Sequence, residues 1–89
     1  MLSVELSPRA LRDLQGLPKP YAATVVDDLE ILKVPPWPGP PKVKRLQGTP
    51  YYRLRTGDFR SIFFQERQRV TILRVVNRKD LERVLKTLP

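Results

Sequence analysis

The sequence predicts an α+β domain in which an N-terminal strand and a helical hairpin precede an antiparallel sheet meander with a short C-terminal helix. Three observations lead there. Apolar residues recur at helical spacing from Ala10 to Leu32. Apolar and polar residues alternate at the start of the chain and in several stretches after residue 42. Between these halves lies "VPPWPGPP", which holds five of the ten prolines and fits neither a helix interior nor an inner strand. Eighty-nine residues make one domain, 1–89, small enough that roughly 60% of the unfolded chain's surface is buried on folding.

Each element has its own local reason. In "LSVEL", Leu2, Val4 and Leu6 alternate with Ser3 and Glu5, as in a half-buried strand. Ser7 is a good helix N-cap and Pro8 suits the first helical position. Ala10, Leu11, Leu14 and Leu17 then form a stripe that Gly16 and Pro18 close. A second helix is expected from about Pro20 to Lys33, with Ala22, Val25, Val26, Leu29 and Leu32 on one side and Asp27, Asp28 and Glu30 largely on the other. The proline-rich connector follows, and Trp37 within it reads as a cap over one edge of the core, with a ligand platform as the alternative. Strands are expected in "KVKRLQ" (42–47), on both sides of a turn within 51–64, and in "RVTILRVV" (69–76), with "QERQ" (65–68) as the last turn. Leu81, Val84, Leu85 and Leu88 predict the short final helix.

Composition excludes several classes of function. No apolar run approaches the roughly 20 residues needed to span a bilayer, and a charge appears within five residues of the start, so a cytoplasmic protein is expected. Cysteine and histidine are both absent, which removes disulfides, thiolate metal sites and the commonest general base. No metal or organic cofactor is implied, and catalysis would have to run on Lys, Arg, Tyr, Glu, Asp or backbone. The net charge of +8 is uneven: residues 1–41 sum to −1, whereas residues 42–89 carry thirteen Lys and Arg against four acids. A basic half of +9 points to a polyanion, most often nucleic acid.

The hairpin sharpens this. With Gly57-Asp58 as a two-residue turn, Thr56 faces Phe59, Arg55 faces Arg60 and Arg53 faces Ile62. Strand alternation then puts Arg53, Arg55 and Arg60 on one side and Tyr52, Leu54, Phe59 and Phe63 on the core side. Like charges directly opposite cost a few tenths to about 1 kcal/mol, so a missing anionic partner is the physical reason to keep them together. Tyr51 shares the arginine face in this register and is a candidate to stack on a base. Lys42, Lys44 and Arg45 form a basic run, read either as a solvated edge or as RNA contacts.

In order and in motif, the chain resembles the RelE/ParE superfamily of type II toxin–antitoxin toxins. The resemblance rests on "KRLQGTPYYRLRTGDFRSIFF" and "ILRVVNRKDLER". The first is similar to the family's Lys-Leu-x-Gly element, Tyr-Arg-Leu-Arg strand, Gly-Asp-Tyr-Arg turn and aromatic strand. The second is similar to its last strand and closing basic segment. The resemblance implies a toxin with a cognate antitoxin as partner. It further implies either a ribosome-dependent messenger RNA endoribonuclease that inhibits translation or an inhibitor of DNA gyrase, with a catalytically degenerate binder of antitoxin or RNA as a third reading.

The catalytic positions of the cutting members fall on Arg53, Arg55, Arg60 and Arg78, with RNA contacts on Lys42, Lys44, Arg45, Tyr51 and Lys79. Two departures stand out. Many cutting members have a His before the C-terminal arginine and a Tyr four residues after it, where this chain has Asn77 and Glu82. Arginine stabilises a phosphorane well but is a poor base, so Lys42, Lys44, Lys79, Glu82, Tyr51 and Tyr52 are the remaining candidates for proton transfer.

Overall fold

The structure, a computed structural model, describes all residues 1–89. The chain runs β1 (Ser3–Leu6), α1 (Pro8–Gln15), α2 (Lys19–Leu29), β2 (Val43–Arg45), β3 (Tyr52–Thr56), β4 (Phe59–Glu66), β5 (Arg69–Asn77) and α3 (Leu81–Leu85). A 3₁₀ turn at Glu30–Lys33 extends α2, and another at Arg78–Asp80 leads into α3. The five strands form one sheet in the order β1-β5-β4-β3-β2. It is a mixed sheet: β2 to β5 are antiparallel neighbours, while β1 pairs parallel to β5. No helix is long and apolar enough to cross a membrane.

Local signals place the elements well. Ser7 is the N-cap of α1, and its hydroxyl accepts from the Ala10 N–H at 3.1 Å. The second helix is shorter than its apolar spacing suggests, because regular α geometry stops at Leu29 and the Glu30–Lys33 segment tightens to 3₁₀ before the prolines. The strand expected at 42–47 keeps only three residues, since Leu46 and Thr49 turn the chain through local hydrogen bonds. β4 continues through Glu66, so the last turn is Arg67-Gln68 rather than all of 65–68, with Arg67 in the left-handed region at φ 57°.

The β3–β4 register is the one the two-residue turn requires: Thr56–Phe59, Arg55–Arg60, Arg53–Ile62. Gly57 has φ 57°, and a Cβ there would meet nothing within 4 Å. Its glycine is therefore required by backbone conformation and not by space.

The sheet has two unequal cores. On one face α1 packs against β5 and α2 against β3, burying Leu14, Val25, Leu29, Leu54, Phe63 and Ile72 among others. Trp37 caps this layer: its indole N–H donates to the Leu32 carbonyl at 3.0 Å, and its ring meets Tyr52 and Phe63 edge-on. On the opposite face a smaller cluster of Tyr51, Ile62, Val76 and Val84 forms where α3 and the chain end fold over the sheet, with Leu81, Leu85 and Leu88 packed against it.

β5 carries one extra residue, Leu73, where its register with β4 steps from Ile62–Arg74 to Phe63–Ile72. This bulge resets the alternation, so that Val70, Ile72 and Val75 all join the large core. Beyond the end of β1, residues of α1 occupy the outer edge of β5. The Ser7 N–H and hydroxyl donate to Ile72 and Leu73 carbonyls, and Asp13 accepts from the Val75 N–H at 2.9 Å. The same carboxylate holds Arg74 at 2.8 Å, with both side chains largely buried. Strand-edge groups that would otherwise be unpaired are thereby satisfied.

Candidate functional site

The smaller core covers only part of its sheet face, and the basic residues occupy the end towards the β3–β4 turn. Arg53 and Arg55 come from β3 and Arg60 from β4, brought together by cross-strand register. Arg78 arrives from the 3₁₀ turn after β5, because its N–H donates to the Asp58 carbonyl at 2.8 Å and its guanidinium lies 3.6 Å from the Asp58 carboxylate. Lys44, directly opposite Arg53 on β2, extends the face to the sheet edge.

Backbone carbonyls aim these cations. Arg60 donates from one Nη to the Gly57 and Phe59 carbonyls at 2.8 and 3.0 Å, and Arg53 donates to the Pro41 carbonyl at 3.0 Å. Arg55 is exposed and its guanidinium makes no hydrogen bond within the chain. Among the four arginines only Arg78 makes an ion pair, with Asp58, and that pair is about 70% exposed on both sides, where screening leaves it little energy.

The electrostatics follow. Partial burial, then the charge of Arg55, lowers the pKa of Arg53. Arg60 is lowered by partial burial first, then by Arg53, Arg55 and Arg78, with Asp58 opposing. Both remain cationic near neutral pH, because a guanidinium gives up its proton only in strongly alkaline solution. A group whose charged form is disfavoured by its neighbours is one that an incoming anion would relieve.

Some residues that the sequence nominates lie elsewhere. The Lys42 ammonium sits 2.5 Å from Asp28 on α2, and the same carboxylate accepts from the buried Thr56 hydroxyl at 2.6 Å. Burial alone would raise the Asp28 carboxyl, but hydrogen bonds from Lys42 and Thr56, with the Lys42 charge, outweigh it and hold the pKa below the usual value. Lys42 therefore ties α2 to the sheet. Arg45 lies over the Tyr52 ring at 5.8 Å and reaches the Thr49 carbonyl, on the core side of the sheet.

Tyr51 is on the arginine face, as its register demands, yet it is only 7% exposed beneath the C-terminal segment, and its hydroxyl donates to the Pro89 carbonyl. It offers no open face for stacking in this conformation. Tyr52 is packed against Trp37 and Phe63. Of the candidates for proton transfer, Lys44, Lys79 and Glu82 remain exposed.

One feature escaped sequence reasoning. A cleft of about 580 Å³ lies on the other side of the β3–β4 turn, walled by Tyr21 of α2 and Phe59 of β4 with Asp58 and Asn77 at its rim. Its only sequence signal is an aromatic residue on the polar flank of a helix.

The comparisons agree with this architecture. The family model described as ParE toxin of type II toxin–antitoxin system, parDE, matches residues 4–82. No curated protein sequence matches the chain. Among solved structures, the archaeal RelE–RelB complex from Pyrococcus horikoshii is similar at 29% identity and TM-score 0.71, over 86% of this chain and 94% of that chain. The RelBE2 toxin–antitoxin complex from Mycobacterium tuberculosis is similar at 27% identity and TM-score 0.70, over 89% and 93%. The ParDE system of Pseudomonas aeruginosa, at 16% identity, shares the fold with TM-score 0.69 over 86% and 96%. With the α+β fold in place and a family match covering most of its length, the chain belongs to the ParE toxin family of type II toxin–antitoxin systems, within the RelE/ParE superfamily.

Proposed function

We propose that this toxin acts in the cytoplasm as a ribosome-dependent endoribonuclease on messenger RNA, with Arg53, Arg55, Arg60 and Arg78 around the scissile phosphate, and that a cognate antitoxin neutralises it. The supporting observation is the convergence of four guanidinium groups on one sheet face with a single exposed carboxylate beside them. In the reaction a ribose 2′-oxygen attacks the adjacent phosphorus, its proton leaves, the bond to the 5′-oxygen breaks, and that oxygen takes up a proton. The products are a 2′,3′-cyclic phosphate and a free 5′-hydroxyl.

Arg60 and Arg55, opposite one another, stabilise the charge that builds on the phosphorane; a guanidinium offers a planar fork of donors for this purpose. Proton transfer falls to Lys44, Lys79 or Glu82, or to groups of the ribosome, which also aligns the RNA for in-line attack. Lys44 and Lys79 also serve as RNA contacts in this reading. Lys42 and Arg45 serve the fold.

A second reading has its own support. The family model is that of a ParE toxin, and the positions where many cutting members carry His and Tyr hold Asn77 and Glu82. In that reading the same basic face inhibits DNA gyrase without cutting RNA. Primer extension on messenger RNA after induced expression, run beside a gyrase supercoiling assay, tests the proposal. New 5′ ends that require ribosomes support the endoribonuclease, whereas blocked supercoiling with intact messenger RNA moves the activity to gyrase.

A further inference from the structure

The sheet has two outer edges, and they are protected differently. β2, at one end, carries Lys44 and Arg45, and basic residues on an edge deter a further strand. β1, at the other end, faces β5 through the Ser3 N–H, which donates to the Gln68 carbonyl, and Ser7 donates likewise to Ile72, both at 2.9 Å. Strand alternation therefore turns the N–H and C=O groups of Val4 and Leu6 outward, where no strand lies.

The side chains beside that edge are apolar. Val4, Leu6, Val26 and Leu29, with Glu30 and Lys33, line a groove of about 130 Å³ between β1 and α2. Leu6 is 37% exposed and Val26 44%. Charge around the groove cancels, because Lys33 lies 2.8 Å from Glu30 and Arg69 lies 3.4 Å from Glu5.

We propose that this edge joins two copies of the chain, β1 against β1 in antiparallel register across a two-fold axis, with Leu6 and Val26 of each copy closing over the groove of the other. Length selects this occupant. The free edge is short, since the Leu2 N–H already donates to the Lys33 carbonyl at 2.8 Å and the chain enters α1 after Ser7. With the axis at Glu5, Val4 of each copy meets Leu6 of the other as a hydrogen-bonded pair, and every outward N–H and C=O of both strands is matched. Moving the axis to Val4 would call on the engaged Leu2 N–H. The two Glu5 side chains then face each other, and each keeps its own Arg69 as counter-charge.

Charge selects the same occupant. At a net charge of +8, two copies repel wherever their basic halves meet, but this edge belongs to residues 1–41, which sum to −1. An acidic partner would be drawn to the +9 half instead. The axis stands perpendicular to the sheet, so both arginine faces lie on one side of a continuous sheet and neither is covered.

The test is sedimentation of the full-length protein from roughly 1 to 500 μM, with amide hydrogen exchange measured at both ends of that range. The apparent mass should rise towards twice that of one chain. The Val4 and Leu6 amides should exchange about tenfold more slowly in the concentrated sample, while those of Ser3 and Ser7, already bonded to β5, change little. Val26→Glu, at an exposed helix position, should weaken association at least about tenfold with unaltered melting of the monomer, and Leu6→Lys should do the same.

A wild type that stays a single chain throughout overturns the dimer. So does a dimer whose Val4 and Leu6 amides exchange as fast as in the monomer, or one that both variants form as readily as wild type. Protection of those amides in the antitoxin complex alone overturns the second copy in favour of an antitoxin strand.

Discussion

Arg74 and Arg60 carry the same guanidinium on neighbouring strands, and their surroundings differ in one respect. Arg74 on β5 meets the Asp13 carboxylate at 2.8 and 3.3 Å in a site where both side chains are about 15% exposed. Arg60 on β4 meets carbonyl oxygens and the charges of three other arginines. Lys42 repeats the first pattern against Asp28, and Arg53, which donates to the Pro41 carbonyl beside the charge of Arg55, repeats the second. Basic residues matched by a desolvated carboxylate hold helices to the sheet. Those gathered without one make at most hydrogen bonds to backbone carbonyls, and their charge remains available to an outside anion. Charge alone does not separate the two groups; a carboxylate withdrawn from water does.

Among the unmatched cations, Arg60 is the one whose loss is expected to cost most. Replacing it with Ala is expected to reduce ribosome-dependent cleavage about 10²- to 10³-fold, the usual consequence of losing one donor to a developing oxyanion. Its melting temperature should fall by only a few degrees, because Arg60 is half-buried and its hydrogen bonds go to carbonyls beside an exposed turn, a loss of about 1 kcal/mol or less. Arg60→Lys should recover only part of the rate, since a point charge lacks the bidentate fork. Undiminished cleavage by a normally folded Arg60→Ala protein would remove the catalytic assignment.

Asp13→Ala should do the reverse. It leaves Arg74 without its counter-charge and the Val75 N–H without an acceptor, at a cost of about 3 kcal/mol. For a domain of this size that lowers the melting temperature by roughly 12 °C or more. Activity per folded molecule should be unchanged at low temperature. A variant that melts normally would mean that α1 is anchored by apolar contacts alone.

Asp28→Asn probes the second matched pair through pH. The Asp28 pKa is depressed in the folded chain, so its stabilisation is present above the unfolded carboxylate value near 3.9 and is lost as pH falls through the lower folded value. Urea melts should show the variant weaker by about 1–2 kcal/mol at pH 7, with the gap closing as the solution is acidified below about pH 4. A gap of constant size across that range would assign the effect to shape and not to charge.

The smallest expected effect concerns the unmatched cations singly. On a plot of log affinity against log salt, each phosphate contact to single-stranded RNA contributes a slope of about −0.7. Arg53→Ala and Arg55→Ala should each make the slope shallower by about that amount, while Lys42→Ala should leave it unchanged. A shallower slope in Lys42→Ala would return that lysine to the RNA-binding face.

Local chemistry was enough to determine part of this molecule. Ser7 caps its helix with its own hydroxyl, and the Gly57-Asp58 turn sets the β3–β4 register through a backbone angle and the two-residue period of a strand. Each depends on residues close in sequence, so the face shared by Arg53, Arg55 and Arg60 was legible before any coordinates. Tertiary structure decided what depends on distant partners. β1 pairs in parallel with a strand more than sixty residues away, and the Leu73 bulge breaks the alternation of a stretch that reads as regular. Lys42 and Arg45 have the composition of an RNA-binding run, but Asp28 on α2 holds the Lys42 ammonium, and the β2–β3 register sets Arg45 opposite Tyr52 on the core side of the sheet. Tyr51 keeps its predicted face and loses its exposure because the last residues of the chain fold over it. The cleft between Tyr21 and Phe59 joins residues 38 positions apart, through a packing of α2 on β3 that neither segment encodes alone. Side-chain period is a property of a segment, whereas burial and charge pairing are properties of what lands opposite it.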